Sequence, residues 1–230
     1  MAQPTLRTSP QHVPRRVRLG LACWLVQPFY VVVELLVAAG ASAQYSLRDD
    51  TISALGQVGC SPGHYGSVVP MCSGSHVVLN AAFLVFGLLR AVGAILVRQL
   101  LDPTWWRAAA VTVWVVSGIC SAAVGLAPVD RVPLLHSLAA GPVFLLQPFA
   151  VVATAIALRR TADGRVGVST AGLVVFAATV VGTVSFGLGI GLSTWVGVLE
   201  RLALWPAYVW LGLVAATLLT QLRVTDRRVD

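Results

Sequence analysis

The chain has no lysine: all 16 of its basic residues, in a sequence of 230, are arginine. Charged residues of both signs make up only 11% of it, where a soluble domain carries about 25%. So few polar groups cannot cover a globular surface in water, and the scarcity excludes an ordinary soluble domain. Three further absences narrow the field. No run alternates apolar and polar residues as the strands of a membrane barrel do. No HxxxH or HExxH spacing occurs, so the usual signature of a zinc hydrolase is missing. No strand precedes the GxGxG formed by Gly187, Gly189 and Gly191, which argues against a dinucleotide loop.

What is present is apolar. Hydrophobic residues account for 57% of the chain, and its mean hydropathy is +0.82. Six runs are long enough to cross a bilayer, near 20–43, 76–99, 107–127, 133–158, 168–191 and 200–222. Inside lipid the backbone must satisfy its own hydrogen bonds, so each run is expected to be helical. The fold class is therefore all-α: a polytopic membrane protein with a six-helix domain over 20–222, a basic N-tail over 1–19 and a C-tail over 223–230. The first run is too long for a signal-peptide core, although Ala41-Ser42-Ala43 follows it, and it reads as a retained span. Arginine used alone as the base, with abundant Ala, Val and Gly, points to a GC-rich bacterial genome.

The arginines also orient the chain. Twelve lie on one side: Arg7, Arg15, Arg16, Arg18, Arg98, Arg107, Arg159, Arg160, Arg165, Arg223, Arg227 and Arg228. The other side holds Arg48, Arg131 and Arg201, and Arg90 lies within a span and reads as an interfacial or pairing residue. The positive-inside rule then makes both termini cytoplasmic in a cell membrane. The net charge of +7 is accounted for by this topology, so nucleic acid is not an expected partner. The one long connection, 44–75, is external and contains Cys60 and Cys72. An oxidising compartment permits a bridge between them, with free thiols or a metal pair as the alternatives. Cys23 and Cys120 fall in spans and read as packing residues.

Polar residues gather toward the external side. Glu34 lies about 13 Å below the expected end of the first span at 1.5 Å per residue, and a charge at that depth requires a partner. Arg201 and Asn80 are candidates. With Asp50, Ser53, His76, His136 and Glu200 they form a candidate ligand-binding pocket beneath the external loop. No comparable set is expected in the inner half. Within the loop, Ile52–Gly56 reads as a short helix capped by Asp49 or Asp50, with Ile52 and Leu55 dipping into the outer interface. His64, His76 and His136 are weak candidates for a metal. No catalytic residue is assigned and no cofactor is expected. Gly187 and Gly191 form a small-xxx-small pair suited to a homodimer, Gln-Pro-Phe recurs at 27–29 and 147–149, and Pro28, Pro142, Pro148 and Pro206 should kink their helices.

Four short segments, in this order, resemble a bacterial and archaeal membrane family, domain of unknown function 998. They are Asp50-Thr51-Ile52-Ser53-Ala54-Leu55-Gly56, Asn80-Ala81-Ala82-Phe83 with Gly87, His136-Ser137-Leu138-Ala139-Ala140, and Gly197-Val198-Leu199-Glu200-Arg201-Leu202. The resemblance covers roughly 20–222 and implies a multi-pass protein with these motifs at one face; it brings no reaction. Three functions follow from the residues. The leading one is a non-enzymatic binder of a lipid, an apolar molecule or a membrane partner at the external face. The second is a solute or proton-coupled transporter using Glu34. The third is an intramembrane lipid hydrolase, using a histidine-bound metal or Ser53 paired with a histidine.

Overall fold

The computed structural model describes residues 14–41, 45–62, 70–71, 74–159, 165–189 and 194–226. Seven helices make six spans: α1 (Arg15–Leu25), α2 (Phe29–Ala39), α3 (His76–Val97), α4 (Trp105–Leu126), α5 (Pro133–Arg159), α6 (Val166–Gly189) and α7 (Val196–Asp226). All six are long and apolar enough to cross a membrane, and the chain is a multi-pass membrane protein. The remaining elements are 3-10 turns at Ile52–Gly56 and Arg98–Leu100, and an antiparallel pairing of β1 (Ser61–Pro62) with β2 (Pro70–Met71).

The first span is two helices. At Val26–Pro28 the backbone tightens: the Gln27 N–H reaches Trp24 O at 3.1 Å and the Phe29 N–H reaches Val26 O at 3.0 Å. Pro28 begins the second segment, where its fixed φ is tolerated. Pro142, Pro148 and Pro206 instead sit inside the continuous helices α5 and α7. Because α2 ends at Ala39, Glu34 is about 7.5 Å from the helix end, shallower than the sequence implied.

Helices adjacent in sequence pack side by side from α3 to α7, and the first span closes the ring by touching both α3 and α7. Small residues let the backbones meet. A Cβ on Gly87 would lie 2.5 Å from Gly118 O, and one on Gly118 would lie 2.6 Å from Gly87 O, so α3 and α4 are in direct backbone contact. Large apolar side chains such as Leu36, Leu126, Leu134 and Leu188 point outward, as lipid permits.

The interior has two apolar clusters. One surrounds Trp24, Trp114, Leu158, Trp210 and Leu211 toward the arginine-rich end. The other surrounds Tyr30, Ile52, Leu55, Leu79, Phe83 and Tyr208 toward the opposite end. Gln27, Arg90 and Gln147, all fully buried, supply polar groups inside the bundle. Arg90 Nη1 donates to Gln147 Oε1 at 3.3 Å, and its guanidinium lies 4.9 Å from the Tyr208 ring centre. Of the two readings of Arg90, interfacial or pairing, the structure has the pairing one, and it corrects the expectation that polar groups are confined to the loop-bearing half. The two Gln-Pro-Phe glutamines act alike. Gln27 Nε2 donates to Cys23 O and Phe86 O, and Gln147 Nε2 donates to Ala203 O and Leu204 O, each bond 3.2 Å. Each amide crosses to a neighbouring helix and bonds a backbone carbonyl there, so a polar group inside the bundle is satisfied without water.

Candidate functional site

The loop after α2 folds back onto the start of α7, and Arg201 organises the contact. Its Nε lies 3.0 Å from Glu34 Oε1, both side chains being nearly inaccessible. Trp205 Nε1 donates to the other Glu34 oxygen at 2.8 Å. Arg201 Nη1 donates to Leu47 O at 2.8 Å, Asp50 O at 3.2 Å and Gly197 O at 2.9 Å, while Nη2 donates to the Tyr45 hydroxyl. The five-donor fork of arginine suits this many acceptors, and a lysine could not reach them all. Of the two partners expected for Glu34, Arg201 is the one found. Asn80 instead donates through Nδ2 to Gly56 O at 2.9 Å.

The loop approaches this closely because residue 197 has no side chain. A Cβ there would lie 2.3 Å from Asp50 O and 2.6 Å from Leu47 O. Trp195, just before α7, takes the left-handed backbone conformation with φ 69°, and its N–H donates to Asp49 Oδ1 at 3.0 Å. That bond, then those from Arg48 and Ser46, hold the Asp49 carboxyl below its ordinary range. Asp130 anchors the far end of the segment by accepting from the N–H groups of Val58 at 3.0 Å and Gly59 at 2.9 Å. Burial alone would raise the Asp130 carboxyl, but these backbone donors and Arg131 together hold it below the usual value. Burial pushes the Tyr45 hydroxyl upward despite the neighbouring Arg201, so it remains a phenol.

Between these anchors Ile52–Gly56 enters the bundle. All five residues are buried, and Ile52 and Leu55 belong to the apolar core, not to the outer interface as the sequence suggested. Nor is the cap an aspartate. Thr51 Oγ1 accepts from the Ala54 N–H at 3.3 Å, while Asp50 Oδ2 accepts from the Ser46 N–H at 2.7 Å. Glu200 Oε2 accepts from the Ile52 N–H, which satisfies a backbone donor that the 3-10 turn leaves free.

The inserted turn brings Ser53 Oγ to 3.0 Å from His136 Nε2. His136 Nδ1 lies 2.7 Å from Ala127 O. A carbonyl only accepts, so Nδ1 carries the proton, and in the neutral ring Nε2 accepts from the serine hydroxyl. This pair borders a cavity of about 150 Å³ lined by Thr51, Ser53, Ala140, Gly141, Phe144 and Glu200, among others including Phe186. Phe144 and Phe186 stack with ring centres 4.9 Å apart.

The structure thus joins Glu34, Asp50, Ser53, His136, Glu200 and Arg201 in one buried network and links Asn80 to it through Gly56. His76 opens α3, half-buried, and does not line this cavity. His64 lies outside the described residues, and among those residues no group of three His, Cys, Asp or Glu could hold a metal. The Cys60–Cys72 bridge also falls outside them, because Cys72 does; Cys23 and Cys120 are free thiols. A Cβ on Gly187 would meet nothing within 4 Å, while its partner Gly191 is not described. Sequence reasoning named Thr51 and Gly197 only within the family segments, without a role, and missed Tyr45, Phe144, Phe186 and Trp205. The four-residue spacing of Gly197 and Arg201, which share one face of α7, was the available signal.

Residues 25–217 match the family model "Protein of unknown function (DUF998)", and the chain belongs to that family. No curated protein and no solved structure matches it.

Proposed function

With membership of that family as the premise, we propose that this protein lies in the cell membrane with both termini cytoplasmic and binds an apolar molecule at its external side. The twelve-to-three distribution of arginines supports the orientation. One observation carries the binding reading: the cavity of about 150 Å³ with aromatic walls and the Ser53–His136 pair at its edge. A cavity of about this size accommodates benzene in another protein. The occupant is therefore a ring or the end of a lipid chain, with a hydroxyl that donates to Ser53 Oγ, whose own proton is held by His136. Arg201 is not the ligand's anchor in this reading, since its donors are committed to the loop.

The test uses Gly141, where a Cβ meets nothing within 4 Å. Gly141→Phe should fold normally and fill the cavity. Native mass spectrometry of protein extracted from its own membrane should show a retained small molecule in the parent and none in the variant. Equal retention in both would defeat the proposal. A second reading, acyl transfer or hydrolysis, draws on the same pair: His136, oriented by Ala127 O, accepts the proton as Ser53 attacks. A fluorophosphonate probe should then label Ser53 in the parent and not in His136→Gln; absence of labelling removes this reading. Transport would rest on Glu34, both of whose oxygens are engaged, and proton flux in liposomes abolished by Glu34→Gln would be needed to establish it.

We also propose the Cys60–Cys72 bridge. Its support is the β1–β2 register, in which Ser61 faces Met71, the residues adjoining the two cysteines in sequence. Reduction should add two alkylation equivalents to this loop.

A further inference from the structure

At the opposite end of the molecule, the start of α1, the end of α3 and the start of α4 enclose a cleft of about 580 Å³. It is lined by Arg16, Arg98, Gln99 and Arg107, with Ile95 and Val111 among its apolar walls. Among the described residues its lining contains three arginines and no acidic residue. Among the described residues none of these arginines makes a salt bridge; Arg16 Nη2 reaches only Gln99 Oε1, at 3.5 Å. The nearby helices are tightly seated: a Cβ on Gly20 would lie 2.6 Å from Leu96 Cβ. At the mouth of α4, Trp105 and Trp106 stack with ring centres 3.6 Å apart, and Trp105 is largely exposed. Such a pair marks the headgroup level of a bilayer.

We propose that this cleft binds the phosphate of an anionic phospholipid headgroup, with the lipid's chains running along the apolar wall. Three guanidiniums without an acidic partner among the described residues provide forked donors matched to phosphate oxygens. The cleft has the composition by which basic pockets between membrane helices hold acidic headgroups. It is distant in the fold from the Ser53–His136 cavity, so either proposal can fail without the other.

The test is native mass spectrometry of the full chain in detergent with phosphatidylglycerol or phosphatidylcholine added. Phosphatidylglycerol should be retained preferentially. Arg16→Gln, Arg98→Gln and Arg107→Gln should each lower its retention about fivefold, as expected for roughly 1 kcal/mol per arginine. Arg223→Gln provides the control: Arg223 is exposed near the end of α7 and does not line the cleft. A loss at Arg223→Gln equal to that at Arg107→Gln would reveal diffuse attraction and overturn the proposal, as would equal retention of the two lipids. A third arm adds inorganic phosphate. If millimolar phosphate displaces the lipid and binds with the same arginine dependence, the natural occupant is a soluble phosphate compound and the lipid assignment fails. Circular dichroism of each variant confirms that the helices persist.

Discussion

The two ends of this bundle use arginine in opposite ways. At the loop-bearing end Arg201 is buried, ion-paired with Glu34 and hydrogen-bonded to three backbone carbonyls. At the other end Arg16, Arg98 and Arg107 line an open cleft with no acid among its walls. A guanidinium whose donors are satisfied by its own protein fixes structure. One whose donors face an open cleft is available to something else. The comparison also separates burial from binding: Arg201 is buried, and its donors are already taken by its own protein.

The largest expected effect comes from removing the buried guanidinium. Arg201→Met leaves Glu34 unpaired and should cost about 3–5 kcal/mol, measured by thermal unfolding in detergent. Adding Glu34→Leu should restore part of that loss. Full restoration would show that the ion pair, and not the grip on Leu47 O and Asp50 O, was the main contribution. Next comes Gly197→Ala, whose Cβ would collide with backbone atoms that cannot move cheaply. It should cost about 1–3 kcal/mol and expose residues 45–59 to protease. Gly167→Ala, near the arginine-rich end, meets nothing within 4 Å and should be neutral or stabilising by up to about 1 kcal/mol.

A smaller effect concerns acid. Asp49 and Asp130 have depressed folded values. Their contribution is complete above the ordinary carboxylate value near 4 and is lost as pH falls through the folded values. Hydrogen exchange of the Val58 and Gly59 amides, corrected for its intrinsic pH dependence, should therefore rise below about pH 4. Asp130→Asn should show elevated exchange already at neutral pH. The smallest effect belongs to the open end, where Arg98→Gln should change stability by no more than about 0.5 kcal/mol. A loss comparable to that of Arg201→Met would erase the distinction between the two ends.

The six spans were legible because a bilayer-length apolar run is a strong signal with one physical solution. The pairing of Glu34 with Arg201 was legible as one of two options, since a buried acid demands a partner. The insertion of Ile52–Gly56 was not. Five residues carry no usable periodicity, and nothing in them distinguishes an interface-skimming turn from one driven into the core. Arg90 was legible only as interfacial or pairing, because depth along a helix does not reveal which face a residue occupies. The Ser53–His136 pair joins residues 83 positions apart; each lies in a segment shared with the family, but nothing along the chain shows that those two segments meet. Pro28 and Pro206 look alike in sequence, but one starts a helix and the other sits within one.

The loop's dependence on α7 has a consequence for synthesis. The bonds that bind the first connection to the last span join residues 148 to 156 positions apart, and Trp205 reaches Glu34 across 171. At about 5–20 residues per second, the ribosome needs roughly ten to thirty seconds to supply those partners. Throughout that interval the first span holds an acid without its arginine, and the loop lies undocked. The final helix to emerge is the one that completes the first, so a chain stalled before α7 keeps a polar acid in its first span without the partners that satisfy it.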